Sequence, residues 1–152
     1  MLPVKKILAP TDFSERSLPA LDLAVELAEH FSAELVVLHV IRDLPNAYPA
    51  AAGEMAMTVE IHREALLEQS QKTLDELVSQ RVPDGLPCTA AIAWGRPAET
   101  IVERAADDGA DLVVIATRGA TGLSRFVSGS VTERVVRLSE VPVLTVQAED
   151  LD

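Results

Sequence analysis

Five short apolar segments alternate along the chain with longer segments in which apolar residues recur every three or four positions. Several of the short segments are nearly continuous apolar runs, which is typical of strands covered on both faces, as in a parallel sheet. The five predicted strands are VKKILA (4–9), ELVVLHVI (34–41), CTAAIA (88–93), DLVVIA (111–116) and VPVLTV (141–146).

The segments between the strands predict four helices. Ser17 is a candidate N-cap of the first helix, and the second covers about residues 58–80. Pro97 suits the start of the third helix and Gly109 its end, and the fourth starts near Ser130. The apolar positions behind these predictions are Leu21, Ala24, Val25 and Ala28; Leu67, Leu74, Leu77 and Val78; Ala98, Ile101, Val102 and Ala105; and Val131, Val135, Val136 and Leu138.

The order β-α-β-α-β-α-β-α-β predicts a doubly wound α/β fold: a five-stranded parallel sheet with right-handed crossovers and helices on both faces. The 152 residues suit a single domain, residues 1–152. The irregular segment is 42–57, with two prolines and a run of alanines. We expect a mobile loop there, which is either a tolerated insertion or a lid or partner-binding element.

Charge and cysteine content limit the partners and the compartment. The net charge is −11, which disfavours nucleic acid or an anionic membrane as the main partner. Cys88 is the single cysteine, predicted to be a small buried residue at the start of the third strand, and this indicates a reducing, cytoplasmic setting. The apolar stretch at the N-terminus is too short for a signal peptide or a membrane span.

The segment ATRGATGLSRFVSGSVTER (116–134) follows the fourth strand and is rich in glycine and hydroxyl groups. Two interpretations stay open. The segment is an ordinary connection with Ser130 as a helix N-cap, or its backbone amides and the start of the next helix hold an anion such as phosphate. The glycines concerned are Gly119, Gly122 and Gly129, and nearby positive charges are Arg118 and Arg125.

Ligands of open α/β sheets lie beyond the carboxyl ends of the strands, where the strand order reverses. If the first strand is central, the reversal brings APTD (9–12) near residues 116–122. An ionised Asp12 only accepts hydrogen bonds, so it suits the amine of adenine or a ribose hydroxyl. Pro10 and Val40 would give the base apolar walls. The alternative is that Asp12 caps a turn or a helix start.

Both halves of the chain resemble the universal stress protein family. The resemblance rests on KKILAPTDFSERSLPALDLAVELAEHFSAELVVLHVI at the start and DLVVIATRGATGLSRFVSGSVTERVVRLSEVPVLTV at the end. Nucleotide-binding members carry Gly-x2-Gly-x9-Gly-[Ser/Thr]. Gly119 and Gly129-Ser130 match its last three positions, whereas Ala116 replaces the first glycine.

The resemblance implies a Rossmann-like sheet of order 3-2-1-4-5, an adenine nucleotide (ATP, or AMP or ADP) as ligand, and a homodimer through the last strand, 141–146. We expect the methyl group of Ala116 to weaken binding at most, and Mg²⁺ to be a candidate companion of the phosphates. The implied base pocket is Pro10, Thr11, Asp12 and Val40. The implied ribose and phosphate contacts are Ala116, Arg118, Gly119, Gly129, Ser130, Val131 and Thr132.

The sequence does not contain the motif and lysine that phosphate-transferring enzymes use. It lacks Gly-x4-Gly-Lys-[Ser/Thr], and its lysines, Lys5, Lys6 and Lys72, lie outside the glycine-rich loop. The histidines are scattered. We expect His30 at a helix end and an exposed His62, and His39 at the carboxyl end of strand 2 is either packed and hydrogen-bonded, the favoured role, or in contact with the ligand. We therefore expect a ligand-sensing stress-response protein that acts on an unidentified protein partner.

Three alternatives stay open beside this expectation. The first is a slow ATP hydrolase or phosphotransfer enzyme. The second is a stress adaptor that binds no nucleotide and acts through its dimer surface. A phospho-acceptor receiver domain ranks last, because Asp12 is the only acid directly after strand 1 and no lysine follows strand 5.

Overall fold

The structure is a computed structural model that describes residues 2–43, 54–117 and 130–148. Within these ranges the five predicted strands and four predicted helices are confirmed. The strands are β1 (Lys6–Pro10), β2 (Glu34–Arg42), β3 (Cys88–Gly95), β4 (Leu112–Thr117) and β5 (Val143–Gln147). The helices are α1 (Leu18–Phe31), α2 (Glu54–Arg81), α3 (Pro97–Asp107) and α4 (Val131–Leu138), and a 3₁₀ turn, Glu15–Ser17, precedes α1.

The five strands form one parallel sheet in the order β3-β2-β1-β4-β5, so the predicted fold class and strand order are confirmed. β1 is central. It pairs with β2 through Pro10 and Leu38 and with β4 through Leu8 and Val113. The order of the strands along the sheet therefore reverses between β1 and β4.

Alternate side chains of the strands enter two separate apolar cores, one on each face of the sheet. Ile7, Leu35 and Val37 pack with α1 and with Leu74 of α2. On the other face, Leu8, Leu38 and Val113 pack with Ala98, Ile101 and Ala105 of α3 and with Val135 of α4. Each fully buried aliphatic side chain contributes about 1.5–3 kcal/mol. Burial on both faces explains why the strands are almost continuously apolar.

The start of α1 differs from the sequence prediction. Ser17 occupies the N-cap position, but it has helical backbone angles and its side chain makes no capping bond. Its hydroxyl donates instead to the carbonyl oxygen of Ser14, at 2.7 Å. The prediction of a side-chain cap is wrong because the 3₁₀ turn already continues the chain into the helix, so Ser17 never adopts the extended backbone of a cap.

The end of α3 matches its prediction. Gly109 has φ +66°, the left-handed conformation that glycine adopts at low cost. Its N–H donates to the carbonyl of Ala106 at 3.1 Å, and the N–H of Ala110 donates to that of Ala105 at 2.9 Å. These two bonds form the pattern of a Schellman motif, which ends the helix and turns the chain toward β4.

Asp111 joins β1 and β4 at the amino edge of the sheet. Its Oδ2 accepts hydrogen bonds from the backbone N–H groups of Lys5 at 2.8 Å and Lys6 at 3.0 Å. These bonds, above all the one from Lys5, hold the pKa of Asp111 below its ordinary value. The carboxylate thus ties together the starts of the two strands whose opposite ends face the candidate site.

Other predictions are revised by the structure. Arg42 belongs to β2 and α2 begins at Glu54, so the irregular segment is shorter than 42–57. The predicted mobile loop, and its lid or partner role, lie in residues 44–53, outside the described residues.

Cys88 is half-buried rather than buried, because it lies at the first position of an outer strand. Partial burial and the charge of Glu34 raise the pKa of its thiol. In the described part of the chain, no helix has the length and apolarity of a membrane span.

Candidate functional site

The carboxyl ends of β1 and β4 lie side by side. Ile7 pairs with Leu112 and Leu8 with Val113, and the same register continued sets Thr11 level with Ala116. Helix α4 begins close to this point, since the Thr132 hydroxyl donates to the carbonyl of Ala116 at 2.7 Å. The structure therefore brings together, at the reversal of strand order, three segments that the sequence analysis assigned to one site.

The turn after β1 is held by the buried hydroxyl of Thr11. The backbone N–H of Thr11 donates to the carbonyl oxygen of Leu38 at 2.8 Å, and Oγ1 of Thr11 accepts a hydrogen bond from the N–H of Phe13 at 3.1 Å. The hydroxyl of Ser17 lies 3.0 Å from that Oγ1 and gives its own proton to Ser14. Thr11 must therefore donate to Ser17, so each hydroxyl is both donor and acceptor. This network fixes the backbone from residue 11 to residue 17.

Asp12 is exposed at the tip of the turn and caps it. Its Oδ1 accepts hydrogen bonds from the N–H of Ser14 at 2.9 Å and from the Ser14 hydroxyl at 2.5 Å. This is the turn-capping role left open by the sequence analysis. A carboxylate has about four acceptor positions, so capping and a contact with a ligand are compatible. The two bonds to Ser14 orient the carboxylate.

Phe13 and His39 form a stacked pair beside this turn. Their ring centroids are 4.0 Å apart with an interplanar angle of 24°. Phe13 has φ +67°, a left-handed conformation that costs a non-glycine residue roughly 1–2 kcal/mol. His39 Nδ1 lies 2.8 Å from the carbonyl oxygen of Thr11; because a carbonyl only accepts, Nδ1 carries the proton. His39 is thus packed and hydrogen-bonded, as predicted, but the sequence analysis missed both of its partners.

The side chains of Pro10 and Val40 lie on the same face of the sheet. Pro10 follows Leu8 by two positions and Val40 follows Leu38 by two, and side chains two apart share a face. Pro10 is buried, whereas Val40 is half-buried and packs against the core that includes Leu38. Val131, at the start of α4, packs on this same core. The arrangement provides an apolar surface beside the edge of the sheet that the carboxyl ends of the strands form, the carboxyl edge.

The start of α4 uses the hydroxyl groups of its first turn for the fold. Ser130 has extended backbone angles, and its Oγ accepts the N–H of Glu133 at 3.2 Å, so the predicted N-cap is confirmed. The Thr132 hydroxyl donates its hydrogen bond to the carbonyl oxygen of Ala116. Helix geometry leaves the N–H groups of Val131 and Thr132 without intrahelical acceptors, and the helix dipole makes this end favourable for an anion.

An ion pair between Arg134 and Glu99 joins the first turns of α4 and α3. Both side chains are partly exposed, and Nε of Arg134 is a buried nitrogen without a hydrogen-bond partner among the described residues. Sequence periodicity gave no sign of this pair, because its members come from different helices. The pair links α3 to α4 at the end of α4 that lies beside the candidate site.

The family model described as "Universal stress protein family" matches residues 3–147. The chain belongs to the universal stress protein family. The resemblance noted in the sequence is thereby confirmed.

Relatives of this universal stress protein match it over nearly its full length. Universal stress protein MJ0531 of Methanocaldococcus jannaschii is 37% identical over 94% of this chain and 82% of its own. The solved structure of MJ0577 from the same organism is 32% identical, with a TM-score of 0.76 over 97% of this chain and 98% of that one. A universal stress protein solved in complex with cAMP is 25% identical, with a TM-score of 0.65 over 96% and 98% of the two chains.

The glycine-rich part of the site in this universal stress protein lies outside the described residues. It contains Arg118, Gly119 and Gly129, whose assignment to ribose and phosphate stays a prediction. The described ends of this segment, Thr117 and Ser130, both lie at the carboxyl edge. Among the described residues, no group of three or more His, Cys, Asp or Glu side chains is placed to hold a metal ion.

Proposed function

We propose that this universal stress protein binds an adenine nucleotide, ATP or its relatives AMP and ADP, at the carboxyl edge between β1 and β4. It acts as a single domain, residues 1–152, that senses the ligand in the cytoplasm and signals to a protein partner. The observation that carries the proposal is that the end of β1, the end of β4 and the start of α4 meet at the reversal of strand order.

The chemistry of these segments suits the parts of a nucleotide. Pro10 and Val40 offer apolar contacts to the base, and the carboxylate of Asp12 accepts a hydrogen bond from an adenine amine or a ribose hydroxyl. The start of α4, with residues 118–129, provides main-chain N–H groups for the ribose and phosphates. The complete proposed set is Pro10, Thr11, Asp12, Val40, Ala116, Arg118, Gly119, Gly129, Ser130, Val131 and Thr132.

A relative supports the class of ligand. The universal stress protein that was solved with cAMP has a ligand made of adenine, ribose and phosphate, and it shares the fold over almost the whole of both chains. Adenine, ribose and phosphate are the groups that the three segments of this site suit. A shared fold alone does not transfer a function, so the proposal depends on the site residues themselves.

Sensing is favoured over catalysis by the residues at the phosphate end. The segment 116–134 contains arginines but no lysine, and it lacks the lysine that phosphate-transfer loops place on the β- and γ-phosphates. Main-chain N–H groups bind ground-state phosphates without supplying a base for an attacking water. A single-turnover measurement of phosphate release tests this choice: fast release would make the protein an ATP hydrolase.

Replacing Gly129 with Glu tests the phosphate end of the site. The new carboxylate would lie beside the first turn of α4 and repel the phosphates, so ATP affinity should fall at least tenfold, which corresponds to about 1.4 kcal/mol. Isothermal titration calorimetry with ATP, AMP and cAMP, with and without Mg²⁺, measures this loss. Mass spectrometry of the denatured wild-type protein should show a co-purified adenine nucleotide.

Gln80→Glu is the matched control for added charge, because Gln80 is exposed near the end of α2, at the amino edge of the sheet. It should bind ATP as the wild type does, and both variants should melt close to the wild-type temperature without ligand. Equal ATP affinity in Gly129→Glu and Gln80→Glu would contradict the proposed phosphate position. Absence of adenine-nucleotide binding by the wild type would refute the function.

A further inference from the structure

His39 links three parts of the carboxyl edge that the sequence separates. It lies on β2, its Nδ1 donates to the carbonyl of Thr11 at 2.8 Å, and its ring stacks on Phe13 at 4.0 Å. The residue between these two contacts is Asp12, whose carboxylate is oriented by Ser14. His39 therefore contacts the residues on both sides of Asp12, whose carboxylate is proposed to accept from the ligand.

The hydrogen bond from His39 falls where the β1–β2 ladder ends. The N–H of Thr11 donates to the carbonyl of Leu38. Main-chain groups two residues apart on a strand point to the same neighbour, so Val40 directs its N–H to the β1 side, level with the carbonyl of Thr11. The imidazole of His39 bonds to that carbonyl. The side chain thus binds the acceptor that a continued ladder would give to Val40.

We propose that His39 is a positioning residue for base recognition. By binding the carbonyl of Thr11 and stacking on Phe13, it sets the turn that directs Asp12 toward the base, and it turns the Thr11 carbonyl away from the main chain of Val40. The inference rests on the proposed function, because it concerns how the same site selects its base. His39 itself makes no contact with the ligand in this scheme.

With Asp12 accepting from the adenine amine rather than from a ribose hydroxyl, the scheme implies selectivity for adenine over guanine. An ionised carboxylate only accepts hydrogen bonds. Adenine carries an amine, a donor, at the position where guanine carries a carbonyl oxygen, an acceptor. An Asp12 held at this position therefore favours adenine, whereas a loosely held carboxylate can also reach the N1–H and amine donors of guanine and discriminates less. The ratio of GTP to ATP dissociation constants reports this orientation. A general loss of structure would instead weaken the binding of both nucleotides by the same factor.

Two substitutions separate the roles of the His39 ring. His39→Phe keeps an aromatic ring for stacking but removes the donor, and His39→Asn keeps an N–H close to the place of Nδ1. We expect His39→Phe to weaken ATP binding by about tenfold with little change for GTP, since one hydrogen bond is lost. His39→Asn should keep ATP affinity within about threefold of the wild type. Calorimetry with both nucleotides measures these constants, and thermal melting without ligand monitors the fold.

His30→Phe and His30→Asn are the matched controls, because His30 is exposed in the last turn of α1, at the opposite edge of the sheet. They should leave both dissociation constants unchanged. If His39→Phe fails to fold, His39→Gln replaces it: its amide lies closer to the place of Nε2, so it should lose the selectivity that His39→Asn keeps.

The outcomes distinguish the two proposals. If the wild type binds ATP and the His39 variants keep its ratio of GTP to ATP dissociation constants, the positioning role is refuted while the nucleotide function stands. An equal loss for ATP and GTP, together with a lower melting temperature, shows a structural role alone and also refutes it. If the wild type binds no adenine nucleotide, both proposals fail.

Discussion

The hydroxyl side chains at the carboxyl edge make hydrogen bonds to the backbone. Thr11 accepts from Phe13, Ser130 caps α4, and Thr132 donates to Ala116. A hydroxyl has a single proton to donate, so Thr132 has none left for a phosphate oxygen while this bond is made. Ser130 only accepts in its cap and keeps its own proton, so the donors left for the proposed phosphate contacts are its hydroxyl, Arg118 and the main-chain N–H groups.

Replacing Thr132 with Val tests this role at the scale of one residue. Valine has nearly the same shape but leaves the carbonyl of Ala116 without the hydroxyl, so the free energy of unfolding should fall by about 1 kcal/mol. ATP affinity should fall as well, because the two ends of the proposed phosphate segment are no longer joined. Urea unfolding and calorimetry measure the two effects.

Thr132→Ser is the control, since serine retains the hydroxyl and should keep most of the stability and affinity. If Thr132→Val and Thr132→Ser unfold at the same urea concentration, the bond to Ala116 contributes nothing, and the interpretation of this residue is wrong.

Contacts between neighbours in sequence could be predicted at this scale, and contacts between distant residues could not. The Ser130 cap joins residues three apart, and the residue types alone indicated it. Thr11 and His39 are 28 positions apart, and Ala116 and Thr132 are 16 apart. Their bonds depend on strand register and on where a helix begins, which periodicity does not determine.

At the scale of elements, the strands were predictable because the inner ones are buried on both faces and are therefore nearly continuous apolar runs. Their ends were less so: β4 ends at Thr117, after the predicted 116, and α2 begins at Glu54, before the predicted 58. Polar residues near the ends of elements satisfy their hydrogen bonds in several ways, so composition marks these ends weakly. The 3₁₀ turn before α1 is the clearest case.

The bond between Asp111 and the start of β1 gives an element-scale prediction about pH. The folded-state pKa of Asp111 is lowered, so its contribution is present above the unfolded pKa of about 3.9 and is lost as pH falls through the lower folded value. Asp111→Asn should lower the free energy of unfolding by roughly 0.5–1 kcal/mol at pH 7, a modest amount because the group is partly exposed. Urea unfolding at pH 7 and near pH 3 should show the difference shrinking in acid.

Asp107→Asn is the comparison, because Asp107 is exposed at the end of α3. It should change stability little at either pH. A difference between wild type and Asp111→Asn that stays constant from pH 7 to pH 3 would show that the bonds to Lys5 and Lys6 do not depend on the ionised carboxylate.

At the scale of the whole molecule, the site is a consequence of topology. Residues of β1 and β4 are about a hundred positions apart, yet the reversal of strand order makes these strands neighbours. The alternation of strands and helices predicted the fold class, but the position of β1 at the centre came from the family resemblance. Local patterns record which faces are buried and carry little information on which strands pair.

The same topology leaves β5 at one edge of the sheet, where β4 is its only partner among the described strands. Leu144 on this strand is 37% exposed, and an apolar edge strand readily pairs with another chain. We propose that two copies associate through β5, residues 143–147, slightly beyond the predicted 141–146. A two-fold axis would place Leu144 of each copy in the same interface, so any change there acts twice.

Leu144→Asp should therefore dissociate the dimer. About a third of each Leu144 is left for the interface to bury, which is worth roughly 0.5–1 kcal/mol per copy, and burying two aspartates near the axis adds several kcal/mol of desolvation and repulsion. Together these costs weaken dimerisation by at least about a hundredfold. Sedimentation velocity at micromolar concentration should show a dimer for the wild type and a monomer for the variant. Leu66→Asp is the control: Leu66 is 39% exposed, on α2, so the same substitution at similar exposure should leave the dimer intact. A monomeric wild type, or a dimer that survives Leu144→Asp, would exclude β5 as the interface.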